Sequence, residues 1–178
     1  MLYMTPMSDT VESPSFPTVP ARELRAAMGR FATGVTVVTS IDEAGAPVGT
    51  TANSVTSVSL DPPLVLVCFA RDSLTLAAVR AHDAFAVNVL AEHHGHLSAA
   101  FARRGTSDAW DGIFHVAGPT ASPRLEEALA CIDCSVERLL PAGDHVIVLG
   151  RVLDVHVSEH GRGPLVFYRG AYASLHAG

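Results

Sequence analysis

Apolar residues near the start of the chain follow a helical spacing. Leu24, Met28 and Phe31 recur three and four positions apart and form one apolar stripe. Proline is favoured in the first turn of a helix, and glycine commonly ends one. The pattern therefore predicts a helix that opens at Pro20 and ends at Gly34.

Strand patterns dominate the remainder of the chain. The predicted strands cover residues 35–41, 50–60, 64–69, 84–90, 125–139, 146–157 and 165–168. Hairpin turns are expected over residues 42–46 and 141–144. The Asp61-Pro62-Pro63 corner separates two of the strands, because proline has no N–H group to donate to a sheet.

One helix is predicted between the third and fourth of these strands. Asp72 or Ser73 can cap its first turn, and the helix then continues to about His82. Leu76 and Val79 are spaced to face inward.

A second inserted helix is predicted over residues 92–103. At helical spacing, His93, Leu97 and Phe101 share one of its faces. Residues 105–123 follow it without periodicity, so we expect a loop there.

About seven strands, short turns and inserted helices together predict a mainly β fold, a small β-barrel decorated with helices. A dinucleotide-binding Rossmann domain is excluded, since no G-x-G-x-x-G motif follows a strand and opens a helix. Residues 1–19 are expected to form a flexible N-terminal arm. Residues 20–178 then form a single domain.

The net charge of the chain narrows the classes of partner that it could bind. The net charge is −6, and all 12 basic residues are arginine. An acidic chain without a basic face argues against binding to nucleic acid. No apolar run approaches a membrane span, and no secretion signal is evident, so we expect a cytoplasmic protein with no membrane partner.

The three cysteines are expected to be reduced and structural. Cys131 and Cys134 are three residues apart in a predicted strand, so their side chains point to opposite faces. Neither a disulfide nor a shared metal suits that placement. Cys68 lies in a separate strand.

Hydroxyl and amide side chains gather in one unusually polar strand, at Thr50, Thr51, Asn53 and Ser54. These groups could orient a heteroaromatic ring or a phosphate, or they could simply form an exposed sheet face. Ser73 and Thr75 lie at a helix start, where they could bind an anion or only cap the helix.

Histidines offer two further candidates. His145 begins a long strand and could donate a hydrogen bond to a substrate, or bond only to nearby backbone. His93, His94 and His96 resemble a metal cluster. The adjacent His93 and His94 would point about 100° apart on a helix, which is poor for chelation, so the preferred interpretation is a solvated helix face with one packed histidine and no metal.

The last strand ends in Tyr168-Arg169-Gly170. Its arginine could clamp a phosphate or form only an edge-strand salt bridge. No G-x-S-x-G motif indicates a hydrolase.

Taken together, five ordered stretches resemble the flavin reductase-like family, whose fold is the FMN-binding split barrel. They read MGRFATGVTVVTS, PVGTTANSVTSVSLDPPLVLVC, FAVNVL, GDHVIVLGRV and PLVFYRG, and the resemblance covers about residues 22–172. More narrowly, the chain resembles the small reductase components of two-component flavin monooxygenases. The resemblance implies a homodimer with FMN or FAD bound in a cleft near the interface.

The family pattern also implies the site residues. The flavin ring would lie along Pro47, Val48, Gly49, Thr50, Thr51, Asn53 and Ser54, with Cys68, Phe69 and Ala70 beside it. Ser73 and Thr75 would reach the phosphate end, and Ala100 and Phe101 would close it. The nicotinamide nucleotide would meet His145 and the segment Phe167, Tyr168, Arg169 and Gly170. Asn53 stands where relatives often carry Ser, Cys or Gln, and Arg71 is the local substitute for a lysine.

The activity so implied is an NAD(P)H-dependent flavin reductase. Hydride would pass from NADH or NADPH to FMN or FAD, and reduced flavin would diffuse to a separate monooxygenase. Since the cofactors carry the chemistry, the protein needs to position two rings and requires few acids or bases. The alternatives are a split-barrel flavoprotein oxidase and a non-catalytic flavin carrier.

Overall fold

A computed structural model describes residues 18–103, 107–159 and 161–175. The helices are α1 (Ala21–Met28), α2 (Leu74–His82) and α3 (Gly95–Phe101), with 3-10 turns at Glu92–His94 and Ser107–Trp110. The strands are β1 (Thr33–Gly34), β2 (Thr36–Ile41), β3 (Pro47–Ala52), β4 (Val55–Leu60), β5 (Pro63–Ala70), β6 (Ala84–Val89), β7 (His115–Ala117), β8 (Pro123–Leu125), β9 (Ala130–Ala142), β10 (His145–Val157), β11 (Val166–Tyr168) and β12 (Ala171–Ala173). The predicted N-terminal arm lies almost wholly outside the described residues.

Seven strands form the main sheet, in the order β3-β2-β6-β9-β10-β5-β4. All of its pairings are antiparallel. Strands β1, β11 and β12 form a small second sheet, and β7 pairs with β8. The mainly β prediction is therefore confirmed.

The two edge strands of the main sheet are neighbours in sequence. Only Asn53 and Ser54 separate the end of β3 from the start of β4. Three residue steps span at most about 11 Å, so the sheet must curl until its edges meet at this corner. No pairing between β3 and β4 closes the sheet within the part of the chain described. The single strand predicted over residues 50–60 is wrong, because its halves pair with different strands, β2 and β5.

Both faces of the central strands are buried, as their apolar pattern predicts. Val38 and Cys134 lie in an inner cluster that α2 covers with Leu76 and Val79. The other clustered residues on this side are Ala52, Val65, Val67, Phe69, Phe85, Val87, Val146 and Val148. Cys131 lies in a second cluster with Val35, Val37, Leu90, Phe101, Leu125, Ala128 and Leu165. The two cysteines therefore face opposite sides of β9, as predicted, and all three cysteines are free.

The first helix differs from its prediction. It ends at Met28, before Gly34, and none of its residues is buried. Leu24, Met28 and Phe31 are 57%, 57% and 68% exposed. Among the described residues, nothing therefore covers this apolar stripe.

Helix α3 buries a different face from the one predicted. His94, Ser98 and Phe101 are buried, while His93 is exposed. The chain winds as a 3-10 turn before α3, and this tighter winding shifts the phase of the following residues.

The remaining differences lie in short strands. Part of the predicted loop over residues 105–123 contains a 3-10 turn and β7, and a strand after Gly170 extends the C-terminal hairpin. Strand β10 is close to the prediction. The strand predicted over residues 125–139 begins too early, because Leu125 belongs to β8, and β9 extends into the predicted turn as far as Ala142. No helix among the described residues has the length and apolar character that a membrane span requires.

Candidate functional site

The corner between β3 and β4 carries the exposed polar groups. Asn53 and Ser54 are both exposed. The Ser54 hydroxyl donates to the carbonyl of Cys68 over 3.1 Å, and the Cys68 N–H donates to the Ser54 carbonyl over 3.1 Å. The structure thus brings two stretches of the predicted flavin site together and ties the corner to β5.

Helix α3 lies against the outer side of β3. The Thr51 hydroxyl donates to the Ser98 carbonyl over 2.7 Å, so Thr51 faces α3. Gly49 lies close to the Phe101 ring, and a Cβ added at Gly49 would be 3.0 Å from Cε1 of that ring. A side chain at residue 49 would therefore displace Phe101. Phe101, which the family pattern implies would close the phosphate end of the flavin site together with Ala100, lies against this strand.

The other predicted ring contacts of β3 are half-buried: Pro47, Val48 and Thr50. Thr50 alternates with Thr51 and shares its face with Ala52, which packs in the inner cluster. Because β3 is an edge strand, half of its N–H and C=O groups have no partner strand among the residues described. This open backbone is the feature of β3 best suited to a hydrogen-bonding ring.

The start of α2 follows directly from the end of β5. The Ser73 hydroxyl accepts from the Leu76 N–H over 3.3 Å, so Ser73 caps the helix as one interpretation predicts. The Thr75 side chain is only 3% exposed. Helix geometry leaves the N–H groups of Leu74 and Thr75 without acceptors in the helix, so an anion would meet main-chain amides here.

His145 lies opposite Ala70 in the pairing of β10 with β5. Its Nδ1 is 2.7 Å from Oδ1 of Asp144. This hydrogen bond, with the charge of His145, lowers the pKa of Asp144, and the charge of Arg25 contributes less. With Nδ1–H donating to the carboxylate, Nε2 is left to bind another group.

The C-terminal hairpin is anchored to other elements. Phe167 pairs with Thr33, and the Arg169 N–H donates to the Gly29 carbonyl over 2.9 Å. Arg169 has a positive φ of 53°, which turns the chain into β12. In β12, the Tyr172 hydroxyl donates to Ser98 Oγ over 2.8 Å.

The predicted residues therefore form two groups. In the first group, α3 connects β3 to the C-terminal hairpin. In the second group, the β3–β4 corner, the end of β5 and His145 lie close together. Ser98 and Tyr172, which connect the first group, are absent from the sequence-based prediction. The turn residues Arg169-Gly170 before Ala171-Tyr172-Ala173 are the signal that could have revealed the extra strand.

The histidine cluster gains a carboxylate from a distant part of the chain. Glu127 Oε2 lies 3.0 Å from His93 Nε2 and 3.5 Å from His94 Nε2. His94 is 2% exposed, whereas His93 and His96 are exposed. Burial, and then the charge of His93, lowers the pKa of His94.

Hydrogen bonding opposes a metal at this cluster. The His94 Nδ1 accepts from the Ala91 N–H over 3.2 Å. A neutral ring that accepts at Nδ1 carries its proton on Nε2, so no lone pair there is available to a metal. The expectation of one packed histidine on a solvated helix face is confirmed for His94.

Two concave spaces occur elsewhere on the described surface. The larger has a volume of about 300 Å³ and is lined by Ile41, Asp42, Glu43, Gly45, Ala81 and His82. The smaller has about 50 Å³ and is lined by Glu127, Leu129, Ser158 and Arg162. Neither includes a residue of the predicted flavin site. Asn53 and Ser54 are exposed, so the polar corner is an open surface in the part of the chain that the structure describes.

Comparison with known proteins identifies the class to which this fold and site belong. Residues 28–176 match the family model described as "Flavin reductase like domain". The chain therefore belongs to the flavin reductase-like family, as its sequence motifs predict.

Individual relatives support the same assignment. The chain is 42% identical over 154 residues to the reductase subunit HsaB of a flavin-dependent monooxygenase from Rhodococcus jostii (strain RHA1), covering 86% of this chain and 77% of that protein. It is 45% identical over 151 residues to a probable flavin reductase from Rhizobium meliloti (strain 1021), covering 85% of this chain. The chain spans only 48% of the length of that second relative.

A solved structure shows the same fold. The NADH:FAD oxidoreductase SgcE6 of Streptomyces globisporus C-1027, in complex with NAD and FAD fragments, superposes with a TM-score of 0.81 at 36% identity. The match covers 87% of this chain and 92% of that one.

Proposed function

We propose that the chain is the reductase component of a two-component flavin monooxygenase. It uses NADH or NADPH to reduce FMN or FAD and releases reduced flavin to a separate oxygenase by diffusion. The family assignment supports flavin reductase activity, a flavin cofactor and a nicotinamide donor. The relative named as a monooxygenase reductase subunit supports the separate oxygenase.

The observation that carries this proposal is the meeting of four elements around one open corner. The edge of β3, the Asn53–Ser54 corner, the end of β5 and the start of α2 are adjacent. Their groups fit a flavin, because the edge strand and corner offer hydrogen bonds to a polar ring. The first amides of α2 suit a phosphate.

In this arrangement the residues bind and orient the flavin and the nicotinamide nucleotide. Residues 47–51, Asn53 and Ser54 would hold the ring, with Cys68, Phe69 and Ala70 beside it. Ser73 and the Thr75 amide would meet the phosphate end, and Ala100 and Phe101 would close the site. A bound flavin supplies the hydride-accepting chemistry. His145, held by Asp144, would present Nε2 to the nicotinamide nucleotide together with residues 167–170.

We further propose that the chain is a homodimer with the split-barrel fold of its family. The curled sheet whose edges meet at one corner supports the split barrel. Exposed apolar side chains lie on the long strands, at Leu140, Leu153 and Val155, and on α1. A second copy is the partner that would cover these surfaces and wall the open corner. Light scattering should then give twice 18.7 kDa.

A cytoplasmic location and a single domain over residues 20–178 complete the proposal. Both are expectations from composition and length.

The test follows anaerobic reduction of added FMN or FAD by NADH and by NADPH with the purified protein. His145→Ala is expected to raise KM for the nicotinamide roughly three- to tenfold, since one hydrogen bond contributes about 0.5–1.5 kcal/mol. His156→Ala is the matched control, because His156 is exposed on the same strand and lies outside the proposed site.

Other results would favour the alternatives. Protein that binds flavin but does not transfer hydride to it would indicate a carrier. Flavin reduced by a small amine and not by a nicotinamide would indicate an oxidase. Absence of flavin affinity would overturn the proposal.

A further inference from the structure

Ser98 joins two elements of the proposed site that are far apart in sequence. It lies in α3 and is 0% exposed. Its main-chain carbonyl accepts from Thr51 over 2.7 Å, and its Oγ accepts from Tyr172 over 2.8 Å. One buried residue therefore connects the strand proposed to hold the flavin with the hairpin proposed to meet the nicotinamide nucleotide.

The base of the hairpin is held by buried Leu165 and Val166 and by the Arg169–Gly29 hydrogen bond, but its strands are short. Strands β11 and β12 have three residues each, and β1, which pairs with β11, has two. A sheet this small is marginal by its backbone bonds alone. Anchoring side chains therefore help to hold β12, whose three residues are all exposed, in its place.

The Tyr172 ring supplies that anchor. It lies beside the first turn of α3, where a Cβ added at Gly95 would be 3.8 Å from the Tyr172 Cδ2. The ring also meets Phe167 across the hairpin, edge to face, with centroids 5.8 Å apart. Phe167 therefore packs against the Tyr172 ring, and Tyr172 is hydrogen-bonded to Ser98.

We propose that Tyr172 and Ser98 are positioning residues for the hydride donor. Their hydrogen bond holds the β11–β12 hairpin at a set distance from β3, so that the nicotinamide nucleotide approaches a flavin already aligned on β3. This inference rests on the proposed function and adds to it two residues that the family pattern did not include.

The two bonds at Ser98 can be separated by mutation. Ser98→Ala removes Oγ and keeps the main-chain carbonyl, so it breaks the bond to Tyr172 and preserves the bond to Thr51. Tyr172→Phe breaks the same bond from the other side and keeps the ring that supports Phe167. The two variants should therefore behave alike.

The experiment uses the full chain with added FMN or FAD. Flavin Kd is measured by fluorescence titration, and KM and kcat for NADH or NADPH are measured from anaerobic flavin reduction. Loss of one hydrogen bond is expected to raise KM for the nicotinamide roughly three- to tenfold in each variant. Flavin Kd should stay within about twofold, and the double variant should be no worse than either single variant.

The possible results separate this inference from the proposed function. If the unmodified protein reduces flavin but both variants keep its KM, the positioning role is overturned. It is also overturned if the variants lose only thermal stability, or if flavin Kd and KM rise equally. If the unmodified protein does not reduce flavin with a nicotinamide, the proposed function itself fails.

Discussion

Asn88→Ala tests the polar network that lies behind the proposed site. Asn88 is the penultimate residue of β6 and is 0% exposed. Its amide group donates to the Val37 carbonyl and to Thr39 Oγ1, each over 3.1 Å. Its side-chain oxygen accepts from the Leu125 N–H over 2.9 Å and from Cys131 Sγ over 3.2 Å. This residue therefore fastens β8 to β2, β6 and β9.

The loss can be worked out contact by contact. Thr39 Oγ1 keeps its bond to the Pro123 carbonyl at 2.5 Å, so that side chain retains a partner. The Leu125 N–H loses its acceptor in a buried setting, which costs about 1–3 kcal/mol. The cavity left by truncation adds about 1 kcal/mol. We therefore expect a fall of about 2–4 kcal/mol in the free energy of unfolding.

Urea unfolding, followed by the fluorescence of Trp110 at fixed protein concentration, measures this change. The midpoint should fall while the slope m stays constant, since the folded topology is unchanged. Asn53→Ala is the control, because Asn53 is exposed at the corner and its loss should change stability by less than about 0.5 kcal/mol. If Asn88→Ala lowers the free energy of unfolding by less than about 1 kcal/mol, this network does not stabilise the fold as proposed.

Two further predictions concern the flavin site and the thiols. In Gly49→Ala, the new methyl group would lie 3.0 and 3.1 Å from two Phe101 ring atoms, so overpacking should destabilise the fold by about 1–3 kcal/mol and raise flavin Kd. Unfolding and flavin titration check this, and unchanged values in both would contradict the close packing. Burial raises the pKa of Cys131 to about 11 and that of Cys134 to about 12, so both thiols stay protonated at pH 8. Mass spectrometry after brief labelling of the native protein should find a label at most on Cys68, with all three labelled after unfolding. Rapid labelling of Cys131 or Cys134 in the native protein would refute the burial.

Local signals predicted most of the elements. The alternation over residues 35–41 and 84–90, the turn at 42–46 and the cap at Ser73 each depend on side chains within a few positions. The structure has these features at or near the expected places. The family motifs reach further, because their order and spacing identify the fold even where single elements are misjudged.

Local signals failed where distant contacts decide the outcome. The break at Asn53–Ser54 follows from the pairing of β3 and β4 with different strands. The buried face of α3 follows from a 3-10 turn and from the surface on which the helix packs. A short window of sequence does not indicate which strands pair with β3 and β4, or on which surface α3 packs.

By itself, the sequence determined the mainly β class, the family, and the polar stretch at residues 50–54 as a candidate site. Only the tertiary structure decided that Ser98 accepts hydrogen bonds from both Thr51 and Tyr172. It also decided that Glu127 lies beside His93 and His94, and that the apolar stripe of the first helix is exposed among the described residues. The physical reason is the separation along the chain over which each interaction acts. Alternation, turns and caps act between neighbours along the chain, whereas these contacts join residues that meet only after the sheet has curled.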